Sequence, residues 1–251
     1  MKLAIDVGNT LTKVALFRGS ELAELNTFEN FSLLKLKHLL SEFGGENITD
    51  LYTIISAVKE YDKEIRSYLN DNYYFIELSS KTLLPIEICY KTPKTLGNDR
   101  IAGVCGASAL FRGENILVID AGTCITFDFI DKGKKYFGGG ISPGIDIRFK
   151  ALNTFTGNLP LVNRAENFNL IGTSTAESIR SGVLNGVLAE VEGIIKYYED
   201  EFGRLKIIFT GGDTIFFDKR LKNVIFALPN LVLNGLNEIL DFNINKSAIM
   251  L

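Results

Sequence analysis

Histidine is almost missing from this chain: 251 residues contain one, His38. It falls in FSLLKLKHLLSEF, where apolar residues recur at helical spacing and Lys35, Lys37 and His38 lie among the polar positions, so it reads as a surface residue. Any general base here is therefore a carboxylate or some less usual group. Cysteine is also scarce. Cys89, Cys105 and Cys124 are odd in number and widely spaced, which argues against a disulfide framework and against paired zinc ligands; they read as small buried hydrophobes. Basic residues do not accumulate. A net charge of -3, with no basic tract, argues against a nucleic-acid partner. No apolar run approaches the roughly 20 residues of a membrane span, and Met1 to Phe17 carries Asp6 and Asn9 with no cleavage-like site. With 46% hydrophobic and 23% charged residues, the expectation is a cytoplasmic globular protein with no membrane partner.

What the chain does have is one device used twice. In LAIDVGNTLTKVALF an apolar strand runs into Asp6, turns at Gly8 and returns as a second strand. The pattern comes back 114 residues later in ILVIDAGTCITFDFI, from Asp120 through Gly122 and Thr123 into a strand beginning near Cys124. A single Asp-x-Gly is ordinary turn chemistry, because Asp makes local hydrogen bonds and Gly accepts positive φ. Two copies, each continuing into Thr and another apolar strand, indicate a duplicated unit. A rigid carboxylate beside a bare backbone suits a metal-bound polyphosphate. The expected architecture is α/β, with two similar halves, 1–113 and 114–251, each a mixed sheet opening with a three-stranded antiparallel meander and flanked by helices.

The first half reads βββαβα, then further elements. LAELNTF forms the third strand, Phe31 to Phe43 a helix stopped by Gly44-Gly45, LYTIISAV a strand, KEYDKEIRSYLND a helix and YYFIEL a strand. An extended PIEICYKTP then leads into TLGNDRIAGVCGASALF, a helix with Asn98 or Asp99 at its N-cap position. Asp99 has a capping role available and also the chemistry to deprotonate a hydroxyl. In the second half GGGISPGIDIRFKAL offers a glycine loop before a helix carrying Arg148, a place where free amides could meet an anion, although without Walker or dinucleotide spacing. NLPLV is a loop docked by its apolar side chains. GTSTAESIRSGVLNGVLAEVEGIIKYYEDEF is the longest helix, with an inward stripe of Ile179, Val183, Val187, Val191 and Ile194 and a capping box of Ser174 and Glu177 that puts Thr175 in the first turn. Gly182, Gly186, Ala189 and Gly193 suit close helix packing, including packing across a dimer. LKIIFTGGD is a third strand ending in glycine, and PNLVLNGLNEILDF a closing helix.

These strand ends together could hold a nucleotide: Asp6 and Asp120 beside cations on the phosphates, Thr10, Lys13 and Thr123 on phosphate oxygens, Gly211 and Gly212 leaving room for base or ribose, and Asp99 as base toward an acceptor hydroxyl.

The duplicated loops resemble those of the acetate and sugar kinase, Hsp70 and actin superfamily, whose halves are actin-like (ribonuclease H-like). The finer motifs resemble type III pantothenate kinases across essentially the whole chain: IDVGNT with Lys13, GNDR with Tyr90 ahead of it, IDAGT, GGGISPGI, NLPLV, STAESIRSG and TGGD. The resemblance implies ATP-dependent phosphorylation of pantothenate, with Mg2+ and a monovalent cation, K+ or NH4+, by a homodimer. It implies an ATP site at Asp6, Val7, Gly8, Asn9, Thr10, Leu11, Thr12, Lys13 and Thr123. Asp99 would be the catalytic base, and Tyr90, Gly97, Asn98, Asp99, Arg100 and Thr175 the pantothenate site, Thr175 reaching it from the dimer partner or its edge. Asp120 would hold the monovalent cation, and Asp6 magnesium through water. Leu11-Thr12-Lys13 and Asn163 depart from the family pattern. Competing readings are another small-molecule kinase of the superfamily and a nucleotide-binding regulator without turnover.

Overall fold

Four residues separate the apolar runs Lys2–Val7 (β1) and Thr12–Arg18 (β2), and the chain folds back across them into an antiparallel pair with Asp6 opposite Lys13. Glu21–Phe28 (β3) adds a third antiparallel strand, with an irregularity between Leu16 and Phe17. In the computed structural model, which describes residues 1–44, 50–222 and 225–249, the meander continues through helix Leu33–Gly44 (α1), strand Tyr52–Ala57 (β4), helix Lys63–Asn72 (α2) and strand Tyr74–Glu77 (β5). Gly45, half of the expected helix stop, lies outside the described residues. The sheet order is β3-β2-β1-β4-β5, with β4 parallel to β1 and β5 parallel to β4.

A short strand, Glu87–Ile88 (β6), and a 3-10 turn, Pro93–Thr95, lead to helix Asn98–Leu110 (α3). The second copy follows as Ile116–Ala121 (β7), Cys124–Ile130 (β8) and Lys135–Pro143 (β9), then helices Ile145–Phe155 (α4) and Thr175–Phe202 (α5). Strand Lys206–Thr210 (β10), the short helix Thr214–Asp218 (α6), strand Phe226–Ala227 (β11) and helix Leu231–Ile249 (α7) complete the chain. Sheet order here is β11-β10-β7-β8-β9-β6, so β9-β8-β7-β10-β11 repeats the first sheet strand for strand. The duplication read from two loops thus extends to the whole sheet.

The chain divides differently from the expected cut at residue 113. One compact unit comprises Met1–Arg112, Lys134–Tyr136 and Asn230–Leu251, the other Gly113–Gly133 and Phe137–Pro229. The closing helix α7 belongs with the first sheet because it packs on α3, β1 and β4. Bare backbone makes this possible: a Cβ at Gly235 would run into the Ala102 carbonyl, and one at Gly106 would stand 2.7 Å from the Leu231 carbonyl. Lys2, on the α7 side of β1, pairs with Asp241. On the other face Leu3, Ile5 and Val7 join Val14, Leu16, Ile55, Leu36 and Ile65 in the core. In the second unit Leu117, Ile119, Ile125 and Phe127 meet Ile179, Val183, Val187, Val191 and Ile195 of α5, whose buried stripe therefore ends on Ile195 with Ile194 beside it. Val162 is buried and Leu159 packs on the same core, which docks the NLPLV loop.

Candidate active site: two carboxylate turns and the start of a helix

The burial sequence along β1 and along β7 is the same: every residue is buried except the aspartate at the fifth position, which is half-exposed. Strand geometry explains it, since both faces are covered up to the point where the chain turns out of the sheet. In the first unit the turn closes through the Gly8 amide, which donates to the Leu11 carbonyl over 3.0 Å; a Cβ at Gly8 would lie 2.9 Å from that oxygen. Asn9, Thr10 and Leu11 are exposed, Lys13 is half-buried, and Val7 and Thr12 are buried. Two features of this turn have no motif in the sequence. Lys59 Nζ donates to the Asn9 carbonyl over 2.8 Å, and Ser56 occupies the β4 position beside Asp6.

The same unit holds GNDR and Tyr90. Gly97, not Asn98 or Asp99, is the N-cap residue of α3; the Asn98 side chain does not cap, its Nδ2 donating instead to the Leu78 carbonyl, 2.9 Å away. Asp99 lies in the first turn of the helix, where its Oδ1 accepts from the Arg100 amide at 2.8 Å. A Cβ at Gly97 would stand 2.5 Å from this oxygen, so only glycine leaves the carboxylate its place. Arg100 is buried. Gly97 and Asn98 also border a cavity of about 440 Å³ lined by Leu78, Ser79, Ser80 and Pro93. Tyr90 is half-buried just beyond β6, where the Cys89 amide bonds the Tyr136 carbonyl.

In the second unit the turn after Asp120 is braced from two sides. Gly144, the N-cap of α4, donates to the Thr123 carbonyl over 3.1 Å, and Asp213 beyond β10 donates its amide to the Ala121 carbonyl over 2.9 Å. A Cβ at Gly144 would collide with the Gly122 carbonyl, and one at Gly211, where φ is +91°, with Asp120 and Ala121. Arg164 spans Asp213 and Asp146 with its guanidinium, tying the segment after NLPLV to the TGGD ending and to the first turn of α4. Nothing in the sequence singled out Arg164, because its partners are 18 and 49 residues away. Thr123 is exposed, as is Thr175, the first residue of α5. Ser174 caps that helix, accepting from the Glu177 amide, while the Thr173 hydroxyl and amide hold the Glu177 carboxyl below its ordinary range.

Two expectations are corrected here. Gly138, Gly139 and Gly140 lie within strand β9 rather than in an anion-binding loop. Gly139 is bare because a Cβ there would strike the Phe127 carbonyl of β8, and Gly138 has φ +92°. Arg148, expected beside that loop, donates to the Pro143 carbonyl, the Ser142 hydroxyl and the Glu190 carboxylate. Of the cysteines only Cys105 is buried, and burial pushes its thiol pKa up; Cys89, just past β6, and Cys124, the first residue of β8, are exposed. His38 is on the surface, beside Glu42.

No group of three or more His, Cys, Asp or Glu capable of holding a metal occurs among the described residues. A strand-end carboxylate with hydroxyls nearby nevertheless fits a hydrated cation that arrives on phosphate oxygens, since such an ion keeps several waters and needs only one or two protein carboxylates. Among the described residues no helix is long and apolar enough to cross a membrane.

The doubled β3-β2-β1-β4-β5 sheet with a carboxylate turn in each copy is the architecture of the actin-like ATPases and sugar kinases. The chain aligns over 97% of its length, at a TM-score of 0.60 and 23% identity, with a Baf-family protein from Campylobacter jejuni. It aligns over its full length, at 0.57 and 11%, with the activator of 2-hydroxyisocaproyl-CoA dehydratase from Clostridium difficile, solved with ADPNP; these cover 99% and 97% of those chains. Residues 2–197 match the family model described as type III pantothenate kinase. Type III pantothenate kinases from Christiangramia forsetii and Phocaeicola vulgatus are each 44% identical to this chain, over 97% of its length and 99% of theirs. The chain belongs to the type III pantothenate kinase family.

Proposed function

We propose that this chain transfers the terminal phosphoryl group of ATP to the primary hydroxyl of pantothenate, the first committed step of coenzyme A synthesis. The observation that carries the reading is Asp99, a carboxylate fixed in the first turn of α3 between the buried Arg100 and Gly97, which borders a cavity. Its carboxylate is the group best suited to take the proton of the acceptor hydroxyl, because the chain's one histidine is exposed on α1. Tyr90, Gly97, Asn98 and Arg100 would line the pantothenate site, the fixed positive charge of Arg100 matching the carboxylate of the substrate.

Phosphoryl transfer asks mainly for positioning and charge neutralisation. The first turn, from Asp6 to Lys13, would supply backbone amides and the Lys13 ammonium to phosphate oxygens; the family resemblance also assigns Thr123 to ATP. Magnesium, when bound with ATP, offsets charge on the transferring group; Asp6 would hold it through water. Asp120 would hold a potassium or ammonium ion. Thr175 would contact pantothenate in a homodimer, and the enzyme would work in the cytoplasm.

The test is a coupled assay with ATP and pantothenate, run in sodium and in potassium, with a panel of sugars as alternative acceptors. Formation of phosphopantothenate is the expected result. ATP consumption with a sugar and none with pantothenate would replace the acceptor assignment, and nucleotide binding without any turnover would leave a regulator.

A further inference from the structure

Asp6 lies beside Ser56 in the parallel pairing of β1 and β4. Side chains of paired residues in adjacent strands point to the same face, with Cα atoms about 5 Å apart. Leu3, Ile5, Val7 and Ile55 belong to the core on one face of this sheet, so Ala4, Asp6, Ile54 and Ser56 occupy the other, the face on which α7 packs. Ser56 is completely buried, and its Oγ has no hydrogen-bond partner among the described residues. An unsatisfied buried hydroxyl is uncommon and costly to a fold, and alanine at this strand position would avoid the cost. A function has to explain its presence.

The second copy of the device repeats the observation with a different strand. Thr126 faces Asp120 in the antiparallel pairing of β7 and β8, and its Oγ1 is likewise buried with no partner among the described residues. In each copy, therefore, a hydroxyl with unused hydrogen-bonding capacity stands next to the carboxylate that ends the first strand. In the first it comes from the parallel neighbour, in the second from the antiparallel one.

We propose that Ser56 is a positioning residue of the first turn: its hydroxyl, together with the Asp6 carboxylate, holds a water of the divalent cation's hydration shell when the nucleotide binds. This rests on the reading of that turn as the site of nucleotide phosphates. A serine suits the task, since its oxygen can accept from a metal-bound water while its proton is donated to the carboxylate. A water bridging two protein groups is nearly as favourable as a direct hydrogen bond. Lys13, on the opposite side of Asp6 in β2, could not do this, because an ammonium donates only and would compete with the cation.

The experiment measures binding of ADP to the full chain by calorimetry across a magnesium titration, for the parent protein, Ser56→Ala and Ser56→Thr. Thermal midpoints and pantothenate KM are recorded for each. The expected result for Ser56→Ala is an unchanged or raised midpoint, an unchanged pantothenate KM, and a magnesium requirement for ADP binding raised about tenfold. Ser56→Thr, which keeps the hydroxyl on a strand-compatible side chain, should bring the requirement back to within about twofold. An unaltered magnesium requirement in Ser56→Ala, or a general loss of stability and of all ligand binding, overturns the proposal. If the parent binds Mg-ADP without phosphorylating pantothenate, the acceptor reading fails and the role of Ser56 is still decided by the same titration; if the parent does not bind Mg-ADP, both fail.

Discussion

The Gly144 amide donates to the Thr123 carbonyl over 3.1 Å, and the space where a side chain at Gly144 would begin is filled by the second carboxylate turn itself. The start of α4 is thereby pressed against the loop that follows Asp120. Replacing Gly144 by Ala must displace one or the other. We expect kcat/KM for ATP to fall by about 10²-fold, the scale of a misplacement of roughly 1 Å. Steady-state kinetics with ATP varied, alongside circular dichroism to show a retained fold, checks this.

Asp99→Asn keeps the size and the first-turn position but removes the base. Turnover should drop about 10³-fold, in the range that positioned general bases contribute, while nucleotide affinity measured by titration stays the same. Turnover near that of the parent would refute the assignment.

Replacing sodium by potassium or ammonium should raise turnover, and Asp120→Ala should remove that response. The comparison separates a cation held at the strand end from a general effect of ionic strength, because ionic strength is equal in the three salts. Equal rates in the three salts would count against a monovalent site at Asp120.

Two tyrosines of the first unit make stability fall at high pH. Burial pushes Tyr73 up to about 12, with the hydrogen bond its hydroxyl donates to Tyr68 adding to it. Tyr61 is raised further, by burial and by donating to the Glu77 carboxylate over 2.9 Å. In the unfolded chain both ionise near 10. The folded state therefore holds protons that the unfolded state has released, and the stabilisation present below pH 10 is lost as pH rises from there toward 12. Chemical denaturation at pH 8, 10 and 11 should show this decline, and Tyr61→Phe should make it shallower.

Much of the candidate site was legible because its geometry is local. Asp6 with Gly8, Asp120 with Gly122, and Gly97 with Asp99 lie within two or three residues of each other, and a strand ending at a turn fixes their relation without help from the rest of the chain. The repeated Asp-x-Gly gave the doubled sheet for the same reason. Arg164, Lys59 and Ser56 were not legible, since each meets its counterpart only through strand pairing, a long-range hydrogen bond or a long-range ion pair. Gly138, Gly139 and Gly140 were misread as a loop because a missing Cβ signals close approach without saying what approaches, and at Gly139 it is the neighbouring strand.

By itself the sequence determined the order of strands and helices, the two carboxylate turns, the presence of Asp99 at the start of a helix and the family. Periodicity and turn chemistry are properties of short stretches. Tertiary structure alone decided that α7 returns to the first sheet, that Gly97 rather than Asn98 or Asp99 caps α3, and that a buried hydroxyl stands beside each aspartate. These depend on which backbones come close enough to exclude a Cβ and on which residues share a register, and both are settled between segments distant in the chain.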